Sequence, residues 1–202
     1  MSHDESVAFE QLRASLEASQ LVRFDKYAYF VHPLADGVPA IVPDDLDGAA
    51  ALLAARVPPG VDGLVTVEAM GIPLAVAVSL RLRLPLTIIR KRRYGLPGEQ
   101  EVGQATGYAK GALFVNGLAA GQRVCLIDDV ISTGGTHAPL LRALTDQGVD
   151  VAALLVLVEK GDGLRRVRAA TPVPVTALFR LDIDSQGVIH VSRSADRKTG
   201  LI

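Results

Sequence analysis

Two adjacent carboxylates, Asp128 and Asp129, follow the apolar run Val124-Cys125-Leu126-Ile127 and lead directly into Val130-Ile131-Ser132-Thr133-Gly134-Gly135-Thr136. Carboxylates accept hydrogen bonds from hydroxyl groups. Backbone amides in a small-residue turn that opens a helix attract phosphate. The segment Ala138 to Leu144 reads as that helix, and in an α/β sheet ligands sit at the carboxyl ends of strands. Acids beside a phosphate cradle suit a sugar phosphate. A helix cap alone would account for Ser132 or Thr133, but not for two acids closing a buried strand.

Three other segments carry residue types that can do chemistry. Val67-Glu68-Ala69-Met70-Gly71 is a strand ending in a tight turn that opens a helix. Ile89-Arg90-Lys91-Arg92-Arg93-Tyr94-Gly95 places four consecutive basic residues at the end of an apolar strand. Leu155-Val156-Leu157-Val158-Glu159-Lys160-Gly161 puts a charged pair after a buried run. Such a pair can simply mark a strand meeting solvent. At the carboxyl end of the next strand in the sheet, however, Lys160 borders the same pocket. It could donate to an oxo group there, while it would repel an amino edge. The four histidines show no ligand spacing; His137 could lie near the phosphate turn, but is expected on a helix surface. No zinc cluster, Walker lysine loop or nucleophile elbow is present.

The elements that must position these residues alternate. Residues 6–19 space Val7, Leu12 and Leu16 as an amphipathic helix, and Lys26 to Val31 reads as a short strand. Asp44 opens an alanine-rich helix to about Arg56, which Pro58-Pro59-Gly60 ends. Strands are expected at 63–67, 84–89, 121–128, 149–158 and 173–181, with helices at 72–82, after 136 and at 164–169. Strands alternating with helices imply right-handed crossovers and a twisted, mainly parallel sheet, an α/β fold. Residues 90–110 are glycine-rich and polar, and are expected to form a long mobile loop with a possible hairpin before Leu113-Phe114-Val115 returns to the sheet. The polar tail 192–202 is expected to be loose.

Composition narrows the class. A chain of 202 residues, 49% hydrophobic and 21% charged, can bury one sizeable core. Its longest apolar stretch, Ile72 to Leu80, is far short of the ~20 residues a membrane helix needs. The start of the chain carries no basic, apolar leader, and the single Cys125 sits in an apolar strand, so a cytoplasmic location is expected. A formal net charge of −1, 4% aromatics and no tryptophan disfavour nucleic acid and base stacking.

The segment 124–136 resembles the phosphoribosyl-diphosphate (PRPP) motif of the type I phosphoribosyltransferases, and the likeness extends over roughly residues 25–182. Phe30 to Pro39, the Glu-Ala-Met-Gly-Ile-Pro turn and Arg-Lys-Arg-Arg-Tyr-Gly-Leu-Pro-Gly-Glu are closest to the purine branch, similar to archaeal-type hypoxanthine/guanine enzymes. The resemblance implies that Asp128 and Asp129 hold the ribose hydroxyls. Ser132, Thr133, Gly134, Gly135 and Thr136 would wrap the 5-phosphate. Glu68, Ala69, Met70, Gly71, Arg90 and Lys91 would bind the diphosphate, with backbone amides acting where adenine enzymes have an arginine at Met70. Val130, Lys160 and Val38 would meet the base, and Lys91 and Tyr108 would join the acids in catalysis. Mg2+ would be held at Asp129 through PRPP or water.

The same resemblance implies one phosphoribosyltransferase domain over residues 1–191. Its hood would be built from the N-terminal helix, residues 20–40 and the C-terminal strands, and its catalytic loop would close to keep water from an oxocarbenium-like centre. The implied reaction is purine salvage: 5-phosphoribosyl passes from PRPP to hypoxanthine or guanine, and diphosphate leaves. A homodimer is implied, with Arg81 or Arg83 reaching the neighbouring diphosphate; neither nucleic acid nor membrane is a partner. Adenine and xanthine enzymes are alternatives. Gly107, where adenine enzymes carry a glutamate beside the matching Tyr108, argues against adenine. A non-catalytic PRPP-sensing regulator is a further alternative, disfavoured because the acidic pair is intact and no helix-turn-helix precedes the domain.

Overall fold

The backbone runs through six helices and ten strands in a computed structural model that describes residues 3–24, 27–105 and 110–195. Helix α1 (His3–Glu17) leads into the hairpin β1 (Gln20–Phe24) and β2 (Tyr27–Val31). The short α2 (Pro33–Asp36) and then α3 (Pro43–Ala54) precede β3 (Gly63–Val67), α4 (Gly71–Leu82) and β4 (Leu86–Ile89). A second hairpin, β5 (Gln100–Ala105) and β6 (Lys110–Val115), comes before β7 (Arg123–Ile131) and α5 (His137–Asp146). The chain continues through β8 (Asp150–Lys160), α6 (Gly163–Ala170), β9 (Val175–Ile183) and β10 (Ile189–Arg193).

Six strands form the central sheet in the order β10-β9-β8-β7-β3-β4, parallel throughout except at β10. From β3 the chain crosses to β4 on one side, and from β7 it crosses to β8 on the other. The strand order therefore switches between β3 and β7. Their carboxyl ends form the crevice where open α/β sheets bind ligands.

Strand alternation divides the core between two faces. Leu64, Cys125, Ile127, Leu155 and Leu157 point to the side covered by α1, α3 and α4. Val65, Leu126, Leu154 and Val156 point to the side covered by α5 and α6. On the first face Leu12 and Leu16 of α1 are sealed, and Phe9 stacks on Phe179 at 4.5 Å. Truncating such a leucine to alanine costs about 2–5 kcal/mol.

A buried polar chain ties the start of α2 to α1 and α3. His32 Nδ1 accepts from Leu34 N (3.2 Å), and its Nε2 meets Ser15 Oγ (3.1 Å). Ser15 in turn donates to Asp45 Oδ2 (2.6 Å). Asp36 accepts from His32 N and from the Tyr29 hydroxyl. Burial pulls the His32 imidazole below its ordinary value, against Asp45 and Asp36.

Four expectations change. The hairpin β5–β6 is a separate two-stranded sheet, linked to the region of β4 by the Arg90–Phe114 bridge rather than rejoining the main sheet. The C-terminal strands are not part of a hood: β9 and β10 lie inside the central sheet. Helix α1 likewise packs on α3 and β10 under that sheet, and β1–β2 stands apart as a separate two-stranded hairpin. The polar tail begins late, because Ser192 and Arg193 pair in β10 and Ser194 is buried with its hydroxyl on Glu159 Oε1 (2.6 Å). Among the described residues no helix is long and apolar enough to cross a membrane.

Candidate active site

Strand β7 carries Asp128 and Asp129 within its pairing, three residues longer at its end than the sequence suggests, with Asp128 opposite Val156 and Val130 opposite Val158. Asp128 is buried. Its Oδ2 lies 2.7 Å from His137 Nε2, and its Oδ1 accepts from Asp129 N at 3.1 Å. Burial and the adjoining Asp128 carboxylate push the Asp129 carboxyl well above the usual carboxylate range. A hydroxyl donor or a cation brought to this pair would relieve the repulsion.

After Ile131 the chain turns tightly into α5. Gly134 has φ +77°, and a Cβ there would come within 2.7 Å of Val167 Cγ2 and 3.1 Å of Gly163 O. A Cβ on Gly163 would in turn come within 2.4 Å of Ser132 O. The turn 132–136 is thus backed by α6, and only glycines permit that approach. Gly135 N bonds Thr133 Oγ1 (3.3 Å), curling the loop over the positive end of α5.

The turn after β3 faces the acids directly. A Cβ on Gly71 would lie 2.4 Å from Thr66 Oγ1 and 2.5 Å from Asp128 Oδ1. Thr66 Oγ1 bonds Ile127 O (2.8 Å), fastening β3 to β7 just below the acids. Glu68 accepts from the Arg90 guanidinium and from Lys91 N (2.9 Å). Burial alone would raise the Glu68 carboxyl, but these donors more than offset it and hold it below its ordinary value. The Glu68–Ala69 peptide is cis. Met70 lies against the loop from α2, with Sδ 3.7 Å from where a Gly37 Cβ would stand.

The basic segment is held by the glutamate that closes its motif, a role its local sequence does not reveal. Glu99 accepts from Tyr94 N, Gly95 N and Asn116 Nδ2, each at 2.9 Å, and its side chain is only 5% exposed. Asn116 foremost, with the two amides, keeps its carboxyl below the usual range. Residues 91–98 are exposed, but Glu99 folds 93–99 into a defined turn. Tyr108 and Gly107 lie outside the described residues.

Lys160, at the end of β8, donates to Ala28 O of β2 at 2.6 Å. It lines a cavity of about 440 Å3 together with Arg23, Ser132, Asp182, Asp184 and Ser185. Ser132 thus joins the 132–136 turn to this cavity. The other two residues expected at the base lie outside this cavity. Val38 is 54% exposed on the α2–α3 loop beside Met70's turn, and Val130 packs against the core; neither lines the Lys160 cavity. His137, expected on a helix surface, is buried. Arg81 is held by Asp47 of its own chain, whereas Arg83 is exposed at the end of α4.

Residues 47–176, which span this crevice, match the model of the phosphoribosyl transferase domain. The chain belongs to the phosphoribosyltransferase family. It is a transferase of that class, on a mainly parallel α/β fold. Among similar phosphoribosyltransferases, the hypoxanthine/guanine phosphoribosyltransferase of Methanohalobium evestigatum is 41% identical over 179 residues, covering 89% of this chain and 94% of that one. Its namesake from Methanohalophilus mahii is 44% identical over 179 residues, with the same coverage. Adenine phosphoribosyltransferases share the fold. The enzyme of Thermoanaerobacter pseudethanolicus superposes with a TM-score of 0.69 at 19% identity, over 85% of this chain and 99% of that one. The Trypanosoma brucei enzyme, solved with AMP, pyrophosphate and ribose-5-phosphate, gives 0.71 at 18% identity over 89% of this chain and 82% of that one.

Proposed function

We propose that this phosphoribosyltransferase acts in purine salvage, moving 5-phosphoribosyl from PRPP to a ring nitrogen of hypoxanthine or guanine and releasing diphosphate. The observation that carries the choice of base is Lys160, an ammonium in the cavity beside Ser132. An ammonium has donors and no acceptor, so it favours an oxo group over the amino group of adenine. Asp182, paired with Arg180, and Asp184, bonded by His190 and the amides of Gln186 and Val188, border the same cavity. The methanogen relatives named above support this reading. The adenine enzymes, at under a fifth identity, speak for the fold alone.

In this reading Asp128 and Asp129 take the ribose hydroxyls, residues 132–136 take the 5-phosphate, and Glu68 to Gly71 with Arg90 and Lys91 take the diphosphate. Catalysis is mainly positioning and electrostatic stabilisation of an oxocarbenium-like centre. The turn organised by Glu99 presents the basic residues and excludes water. Tyr108 is proposed to act from the neighbouring loop. The donor set suits Mg2+: two adjacent carboxylates beside a phosphate site, rather than a cage, fit a cation that keeps waters and substrate oxygens. Asp129 would hold it through PRPP or water, and the ion would neutralise charge on the leaving diphosphate.

The domain is proposed to act as one unit, cytoplasmic and homodimeric. Cys125 is a lone buried cysteine with no partner for an internal disulfide, which is compatible with a reducing setting. Exposed Val76 and Leu80 on α4, beside the edge strand β4, support a second copy there, with Arg83 within the same face. The test of the reaction is diphosphate release from PRPP and Mg2+ with adenine, hypoxanthine, guanine, xanthine and uracil in turn. Turnover with hypoxanthine and guanine is expected. Turnover with adenine alone would reject the 6-oxopurine reading, and PRPP binding without turnover of any base would make the protein a sensor.

A further inference from the structure

We propose that His137 is a positioning residue for the acidic pair, coupling the phosphate turn to the orientation of Asp128. This inference rests on the assignment of Asp128 and Asp129 to the ribose. His137 is the first residue of α5 and shares its inward stripe with Leu140, Leu141 and Leu144. Its side chain is 4% exposed, that of Asp128 9%, and Nε2 stands 2.7 Å from Asp128 Oδ2. A hydrogen bond to a carboxylate in so dry a place is strong and directional.

Asp128 is gripped from three sides. His137 holds Oδ2, the Asp129 amide holds Oδ1, and the Gly71 turn presses on Oδ1 with no room for a Cβ. Of these, only His137 belongs to the segment that follows the phosphate turn. It adjoins Thr136, so any closing of residues 132–136 on an anion moves the imidazole and with it the Asp128 carboxylate. The phosphate turn, the acids and the diphosphate turn are thereby joined through one side chain. Without the ring, Asp128 would keep a buried carboxylate oxygen with no donor, and the carboxylate would rotate to find one. That would spoil the ribose contacts while leaving the base cavity around Lys160 intact.

The experiment compares the wild type with His137→Met, which keeps the bulk and removes the donor, and His137→Gln, whose amide nitrogen restores a donor at similar reach. KM for PRPP, KM for the base and kcat are measured for each. His137→Met is expected to raise KM for PRPP about tenfold while KM for the base stays within about twofold, and His137→Gln is expected to recover most of the loss. An unchanged KM for PRPP in His137→Met, or equal impairment in both variants, overturns the proposal. A 15N-detected spectrum of the wild-type histidines needs no variant to fold: a proton on His137 Nε2 is expected, and one on Nδ1 alone overturns it. A wild type that uses no PRPP would instead overturn the ribose assignment itself.

Discussion

Gly71 and Asp128 are 57 positions apart, yet a Cβ on the glycine would stand 2.5 Å from the aspartate's Oδ1. The turn after β3 and the acidic pair of β7, proposed to take the diphosphate and the ribose, are thus one packed unit, built across the β3–β7 switch point. Gly71→Ala is expected to destabilise the protein by about 1–3 kcal/mol, because Thr66 and Asp128 must both give way. Turnover of PRPP should fall further than stability explains. Urea unfolding and steady-state kinetics on the same preparation check both parts; an alanine variant with wild-type kinetics would mean the contact is slack.

Glu99→Gln keeps the size of the side chain and discards the charge that gathers Tyr94 N, Gly95 N and Asn116. The basic turn should loosen and admit water. The expected signature is a lower kcat together with ribose 5-phosphate formed from PRPP in the absence of any base. The ratio of hydrolysis to transfer is the measurement, and an unchanged ratio would count against the role given to this turn.

Lys160→Ala should narrow the preference for 6-oxopurines over adenine, by roughly tenfold or more if the ammonium meets the oxo group directly. The loss is expected in KM for the base, with KM for PRPP nearly constant. An unaltered preference would reject Lys160 as the specificity residue and leave it as a strut to Ala28.

Stability should carry the mark of His32. Its imidazole titrates lower when folded than its ordinary 6.5, so the unfolded chain takes up a proton first as the pH falls. The contribution of the neutral ring is complete above about pH 6.5 and shrinks below it. A His32→Gln variant removes this dependence. Urea midpoints at pH 7.5 and 5.5 should therefore fall more for the wild type than for the variant; parallel falls would contradict the assignment.

The central strands were readable because β7 and β8 are built on the apolar runs Val124–Ile127 and Val151–Val158, and β3 on a short run broken only by Thr66, as strands buried on both faces tend to be. The hairpin strand β1 and the edge strand β10 were not. Gln20-Leu-Val-Arg-Phe and Ile189-His-Val-Ser-Arg are short and mixed, and their place depends on partners far along the chain. The acidic pair and phosphate turn stood out as a local motif. Glu99 did not, since its three partners come from a turn and from Asn116 across the β5–β6 hairpin. His137 left a signal that was passed over: it precedes Leu140, Leu141 and Leu144 by three, four and seven residues, which is the spacing of a buried stripe.

The central claim is that Asp129 with its neighbour holds the ribose of PRPP. Calorimetric titration of PRPP with Mg2+ into the wild type and into Asp129→Asn tests it most directly. The asparagine variant should fold, and should lose its buried like-charge repulsion, yet bind PRPP at least roughly tenfold more weakly. An Asp129→Asn protein that binds PRPP as tightly as the wild type would contradict the assignment of the site.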